Sequence, residues 1–261
     1  MRLDHLHPVR ISVRRVKTPS TNCPSGSRER ISECMTLSLE APDHSTQLHN
    51  SIHLMRRVIP GVGFGVRANA LGDHGLATWV RNSGVTVLAH DDDELDRMQL
   101  SGIRPNHIVF RCGAGTDGIR SAVHRGVFRF VVGTDSQIAR LTQCAQRTKY
   151  VYLDNDAPAA LCGHRVQVVG LHSDVDNSSD PAEWASAAEE TLRRTSVSTT
   201  GESPVHRIIL SGGSTEEWMN YSVPYLTSVV RSVDAALRDG CTRWNLPRPA
   251  VSVIPAQATA H

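Results

Sequence analysis

Lysine is nearly absent from this 261-residue chain. Of its 28 basic residues 26 are arginine, which leaves Lys17 and Lys149 as the only side-chain amines. Any reaction that needs an imine-forming amine therefore has two candidates. Paired cysteine spacings are missing too. Cys23, Cys34, Cys112, Cys144, Cys162 and Cys241 are scattered with no C-x-x-C. That excludes a recognisable zinc knuckle and argues against a disulfide scaffold. No apolar run approaches the ~18–20 residues of a membrane span, and no secretory signal core is present, so the expected location is cytoplasmic. A net charge of +2 is too balanced for a dedicated nucleic-acid binder. Neither nucleic acid nor membrane is an expected partner. No Walker loop, G-x-G-x-x-G or serine–histidine–aspartate order stands out. The run Gly61-Val62-Gly63-Phe64-Gly65 lies before or inside a strand, the wrong side to cradle phosphate.

What is present suffices for a folded core, with 39% hydrophobic and 21% charged residues. Residues 1–45 scatter Arg2, Arg10, Arg14, Arg15, Arg28 and Arg30 among Ser, Thr and Pro without a helical or strand period. They read as a loose arm with at most one short strand at 7–13. A transit peptide is the competing reading, weakened by Asp4, Glu29 and Glu33, and Met35 is an alternative start to Met1. From residue 47 onward, short β-branched runs alternate with amphipathic ones. The pattern predicts strands at 62–66, 85–89, 107–111, 128–132, 150–154, 166–172, 207–211 and 251–254. Helices fit at 46–57, 72–82, 92–100, 117–125 (with Thr116 as cap), 135–147, 181–194 and 223–239. Eight alternating strand–helix units point to a closed α/β barrel of the TIM, (β/α)8, type over 46–261. A doubly wound open sheet is the alternative.

Two spacings predict gaps in the helical jacket. The fifth crossover, 155–165, is about as short as a parallel connection can be. The chain also stops seven residues after the eighth strand. Outward residues such as Tyr150, Tyr152, Val251 and Val253 are then expected to be exposed and covered by the arm, a second copy or another chain. The helix at 46–57 would plug the barrel's bottom or cover one gap.

The run Gly65-Val66-Arg67-Ala68-Asn69 resembles the Y-A-V-K-A-N strand end of the alanine-racemase-like (fold type III) pyridoxal-phosphate barrels, in the branch of ornithine, diaminopimelate and arginine decarboxylases. Further pieces follow in order. Gly102 to Phe110 resembles G-I-x-P-x-x-I-V-F, and Gly126 to Leu141 resembles G-V-x-x-F-x-V-D-S-x-x-E-L-x-x-L. Gly170-Leu171-His172 resembles G-L-H-x-H-x-G-S, and Leu210-Ser211-Gly212-Gly213 resembles the L-D-x-G-G-G run. Val253 to Gln257 stands where E-P-G-R would. The resemblance covers about 47–261 and implies pyridoxal phosphate at the C-terminal ends of the strands.

The departures are as systematic as the matches. The Schiff-base lysine implied by the resemblance falls at Arg67, whose guanidinium does not condense with an aldehyde. A second family lysine falls at Gly115, the arginine that ends the fifth strand at Asp154, and the ring-stacking histidine at Asp174. The glutamate, glycine and arginine of E-P-G-R fall at Ile254, Ala256 and Gln257, and the family's C-terminal β domain and K-F-G segment have no counterpart. Remaining cofactor contacts implied by the resemblance are His172, Gly212, Gly213, Ser214 and Thr215. Glycines and hydroxyls after a seventh barrel strand suit a phosphate, so a weak anion site is expected there. Lys149 reads as a solvated residue at the start of a strand. His172, Asp174 and Asp176 alternate as metal ligands would, but the spacing is unspecific and no metal is expected. Asp91-Asp92-Asp93-Glu94 reads as a solvated helix start.

The expectation from sequence is a decarboxylase-like barrel without catalysis, a pseudoenzyme that binds or regulates, working as a homodimer or with a different chain, with a phosphate-bearing small molecule as a further candidate partner. The alternatives are a pyridoxal-phosphate enzyme or carrier with altered chemistry, or a degraded gene product.

Overall fold

The computed structural model describes residues 44–113, 116–155, 157, 165–198, 205–213, 218 and 223–255. All belong to one compact unit beginning at Ala41. Of the arm read from the sequence at 1–45, residues 1–43 lie outside the described residues, as does most of the crossover at 155–165.

Eight parallel strands close into a barrel in sequence order, with β8 pairing back onto β1. They are β1 (Gly63–Arg67), β2 (Thr86–Ala89), β3 (Ile108–Arg111), β4 (Arg129–Val132), β5 (Lys149–Leu153), β6 (Val166–Asp174), β7 (Arg207–Ser211) and β8 (Ala250–Ile254). Each lies within two residues of its expected span. Among the described residues the helices are α1 (His44–Val58), α2 (His74–Ser83), α3 (Asp92–Leu100), α4 (Asp117–His124), α5 (Asp135–Cys144), α6 (Pro181–Ser198) and α7 (Val223–Arg243). Local chemistry sets several starts. Asp73, Asp91 and Thr134 accept from the backbone N–H three residues on and cap α2, α3 and α5. Thr116 takes the N-cap position of α4 as expected, but its side chain makes no capping bond. Helix α2 starts two residues later than the expected 72–82, because Asp73 is extended and caps it, and a 3-10 turn (Ala68–Gly72) precedes it.

Alternation along each strand sorts side chains into two cores. Leu88, Val109, Val131, Tyr152, Ile209 and Ile254 point inward and fill the barrel. Val66, Val87, Phe110, Phe130, Val151, Ile208 and Val253 point outward under the helices. Glycine makes the inner fit possible: a Cβ on Gly65 would lie 2.8 Å from the Ile254 side chain.

Strand β6 breaks the alternation. Val151 pairs with Val168, but Tyr152 pairs with Gly170, so Val169 is an extra residue. Val166 and Val168 face the outer core, Val169 the inner one, and Leu171 the outer one again. The bulge thus flips the face of everything after it and turns His172 and Asp174 toward the barrel axis.

The expected gaps are corrected in most particulars. Val251 and Val253 are 3% and 5% exposed. They share the outer core with Leu48, Ile52 and Met55 of α1. Helix α1 packs between α7 and α2, the place an eighth barrel helix would take. Tyr152 is buried because it faces inward, and Tyr150 alone of the four is exposed, at 41%. Truncating α1's buried face should therefore act as a core mutation. Leu48→Ala is expected to cost ~2–5 kcal/mol in denaturant unfolding. A loss below ~1 kcal/mol would show α1 to be a dispensable appendage.

Candidate functional site

Active sites of such barrels lie at the C-terminal ends of the strands. Here that face carries two polar clusters, the first largely buried and the second partly so, around the inward-facing Arg67 and Arg111.

The first centres on Arg67, the last residue of β1. Its side chain is 3% exposed. Nη2 donates to Glu94 Oε1 at 3.2 Å and Nη1 lies 3.3 Å from His90 Nε2. A guanidinium only donates, so His90 accepts at Nε2 and carries its proton on Nδ1, 3.4 Å from Glu94 Oε2. The backbone N–H of His90 donates to the same carboxylate at 2.8 Å. Burial pushes the Glu94 carboxyl upward, but the His90 bonds and the Arg67 charge outweigh it and hold the group below its ordinary 4.5. Asp91, Asp92 and Asp93 form the exposed helix start expected, whereas Glu94 is buried and the expectation fails for it.

The second cluster spans β3, β5, β6 and β7. Arg111 forks onto Asp174, Nη1 to Oδ1 at 2.9 Å and Nη2 to Oδ2 at 2.5 Å, and Nη2 also donates to Asp154 Oδ2 at 3.0 Å. Asp154 Oδ1 lies 2.9 Å from His172 Nδ1, and His172 Nε2 lies 2.8 Å from Ser211 Oγ. Burial works against the Asp154 charge, yet His172 and Arg111 hold its carboxyl far below the usual range. Burial likewise disfavours the Arg111 charge, and Asp174 and Asp154 more than restore it.

Asp154, His172 and Ser211 form a hydrogen-bonded series of the kind that activates a serine, which the sequence reading did not find. His172 and Ser211 are fully buried, so the series links β5, β6 and β7 away from solvent. Asp154, His172 and Asp174 also bring one ligand atom each within 4.8 Å of one another. Asp154 thus completes the trio for which the sequence suggested Asp176, an exposed residue. Arg111 already bridges both carboxylates, and both nitrogens of His172 are engaged.

The expected phosphate loop has a packing role at its first glycine. The N–H of Gly212 donates to Ile254 O at 3.1 Å, and a Cβ there would lie 2.8 Å from the Trp184 ring. Trp218 donates its Nε1–H to Gly212 O at 2.8 Å and meets Trp184 edge to face at 5.3 Å. Gly213 has a φ of +66°, a turn conformation natural for glycine. Ser214, Thr215, Gly115, Ala256 and Gln257 lie outside the described residues. Sequence reasoning missed Glu94, Arg111 and Ser211. The available signal was electrostatic: an arginine at an inward strand end needs a buried counter-charge.

No protein-family model and no curated protein matches this chain. Solved structures do. Diaminopimelate decarboxylase from M. jannaschii is 12% identical with a TM-score of 0.67, over 81% of this chain and 59% of that one. Arginine decarboxylase from Paramecium bursaria Chlorella virus is 12% identical at a TM-score of 0.63, over 81% and 62%. Ornithine decarboxylase from Entamoeba histolytica is 10% identical at 0.61, over 81% and 63%. At these identities the likeness is one of fold. This chain spans about three fifths of the length of those proteins.

Depressed carboxylates make stability fall in acid. A group whose folded pKa lies below its unfolded value stabilises fully above the unfolded value and loses that contribution as pH falls toward the folded one. For Asp154 and Glu94 the ordinary values are 3.8 and 4.5, so the loss should begin as pH drops through that range. Asp154→Asn should cost on the order of 2 kcal/mol at neutral pH and flatten the acid limb. Urea melts of both proteins between pH 3 and 7 test this; parallel curves would contradict it.

Proposed function

We propose that this chain is a decarboxylase-like barrel that does not run pyridoxal-phosphate chemistry and acts as a binding or regulatory protein. The observation that carries the reading is Arg67, a buried guanidinium where the resemblance calls for the Schiff-base lysine, held by Glu94 and His90. Imine formation needs a free amine. Arg67 has none, and Lys149 lies at the start of β5, at the opposite end of the barrel. The other residues at the strand ends fit the cofactor no better. Asp154 and Asp174 are tied to Arg111, and the N–H of Gly212 is spent on Ile254. This set of residues does not fit pyridoxal phosphate. A regulatory barrel works by pairing, with a second copy or with a different chain. No helix among the described residues is long and apolar enough to cross a membrane.

The test is incubation with pyridoxal phosphate followed by borohydride, alongside assays for carbon dioxide release from ornithine, lysine, arginine and diaminopimelate. The expected result is no visible-edge imine band, no stoichiometric pyridoxyl adduct and no release. Arg67→Lys should not restore activity, since the remaining contacts stay absent. A stoichiometric adduct or substrate turnover by the unaltered protein would overturn the reading in favour of an enzyme with altered chemistry.

A further inference from the structure

Lys149 does not behave as a solvated strand-start residue. It is 4% exposed. One N–H of its ammonium donates to Val127 O at 2.7 Å, and the group sits 4.9 Å from the centre of the Phe128 ring. A carbonyl and an aromatic face stabilise a cation partly. Lysine is rarely buried without a counter-charge, and among the described residues no carboxylate lies within ion-pair distance of it. Burial pulls the ammonium below its ordinary 10.5, and the charge of Arg147 adds to the shift.

The same lysine lines a cleft between α4 and α5 with a volume of about 860 Å³, within the range of small-molecule sites. Arg120 and His124, four residues apart on one face of α4, line one side, and Arg147 lines the other. Phe128 adds apolar lining, and Asp117 is the one carboxylate among the lining residues. A cleft of ligand size, cationic at its rim and ending on a buried ammonium without a counter-ion, is built for an anion. We propose that this cleft binds a small organic molecule carrying a phosphate or carboxylate group, with Lys149 as the buried cation and Arg120 and Arg147 as the rim. The site lies outside the barrel wall, apart from the strand-end clusters, and stands whether or not the reading of Arg67 holds.

The scarcity of lysine makes the test direct. Full-length protein labelled with carbon-13 at the lysine side chains gives two Cε signals, and Lys17→Arg identifies that of Lys149. Inorganic phosphate and acetate are titrated in separate arms against chloride at constant ionic strength. The Lys149 signal should shift and saturate in at least one arm while Lys17 stays still. Arg120→Glu and Arg147→Glu should each raise the midpoint by roughly tenfold, the loss expected of one charge-assisted contact. Arg56→Glu, in the last turn of α1, should leave it unchanged. A Lys149 signal that stays still in both arms, drifts linearly alongside Lys17, or saturates regardless of both rim substitutions would overturn the proposal.

Discussion

A guanidinium shut inside a protein must be neutralised, and at the end of β1 that requirement organises the neighbouring strand and helix. Removing an ion from water costs several kcal/mol even after relaxation. Glu94 supplies the opposing charge, and His90 accepts a second hydrogen bond from the guanidinium. Bringing Glu94 inward requires α3 to begin just after β2, which Asp91 secures by capping the helix through the N–H of Glu94. Arg67 is thereby part of the barrel's own framework.

The second cluster follows the same logic with the signs reversed. Two carboxylates from β6 and the end of β5 converge, and Arg111 from β3 holds them together. The series from Asp154 through His172 to Ser211 extends the bracing to β7. Beneath both clusters lies the dry plug of Leu88, Val109, Val131, Tyr152, Ile209 and Ile254. Low dielectric there strengthens each satisfied bond and penalises each broken one. The strand-end face is thus a set of internally matched charges, an arrangement suited to holding a barrel closed.

The barrel was legible in the sequence because short β-branched runs alternate with amphipathic ones from residue 47 onward, as parallel strands buried on both faces and their covering helices do. The side chains at the strand ends were less legible. Alternation alone cannot reveal that Val169 is a bulge, although Gly170 within a strand was a hint. Without the bulge, His172 would face away from Asp154. Tyr152 was assigned outward for want of a register. Helix α1 was recognised, but its partners α7 and α2 are tertiary facts. Glu94 sits in an acidic run that looks solvated, and its partner lies 27 residues earlier. Lys149 resembled a solvated strand start, and only the packing of Phe128 and Val127 around it discloses its burial.

The central claim is that Arg67 is a structural cation bound to Glu94, and a double-mutant cycle on that pair tests it most directly. Glu94→Leu leaves the guanidinium buried without its partner, and Arg67→Met does the same to the carboxylate. Each single change should cost about 3–5 kcal/mol in equilibrium unfolding, while the double variant Arg67→Met/Glu94→Leu should lie close to the unaltered protein. Single variants that each lose less than about 1 kcal/mol, with no coupling between them, would contradict the account.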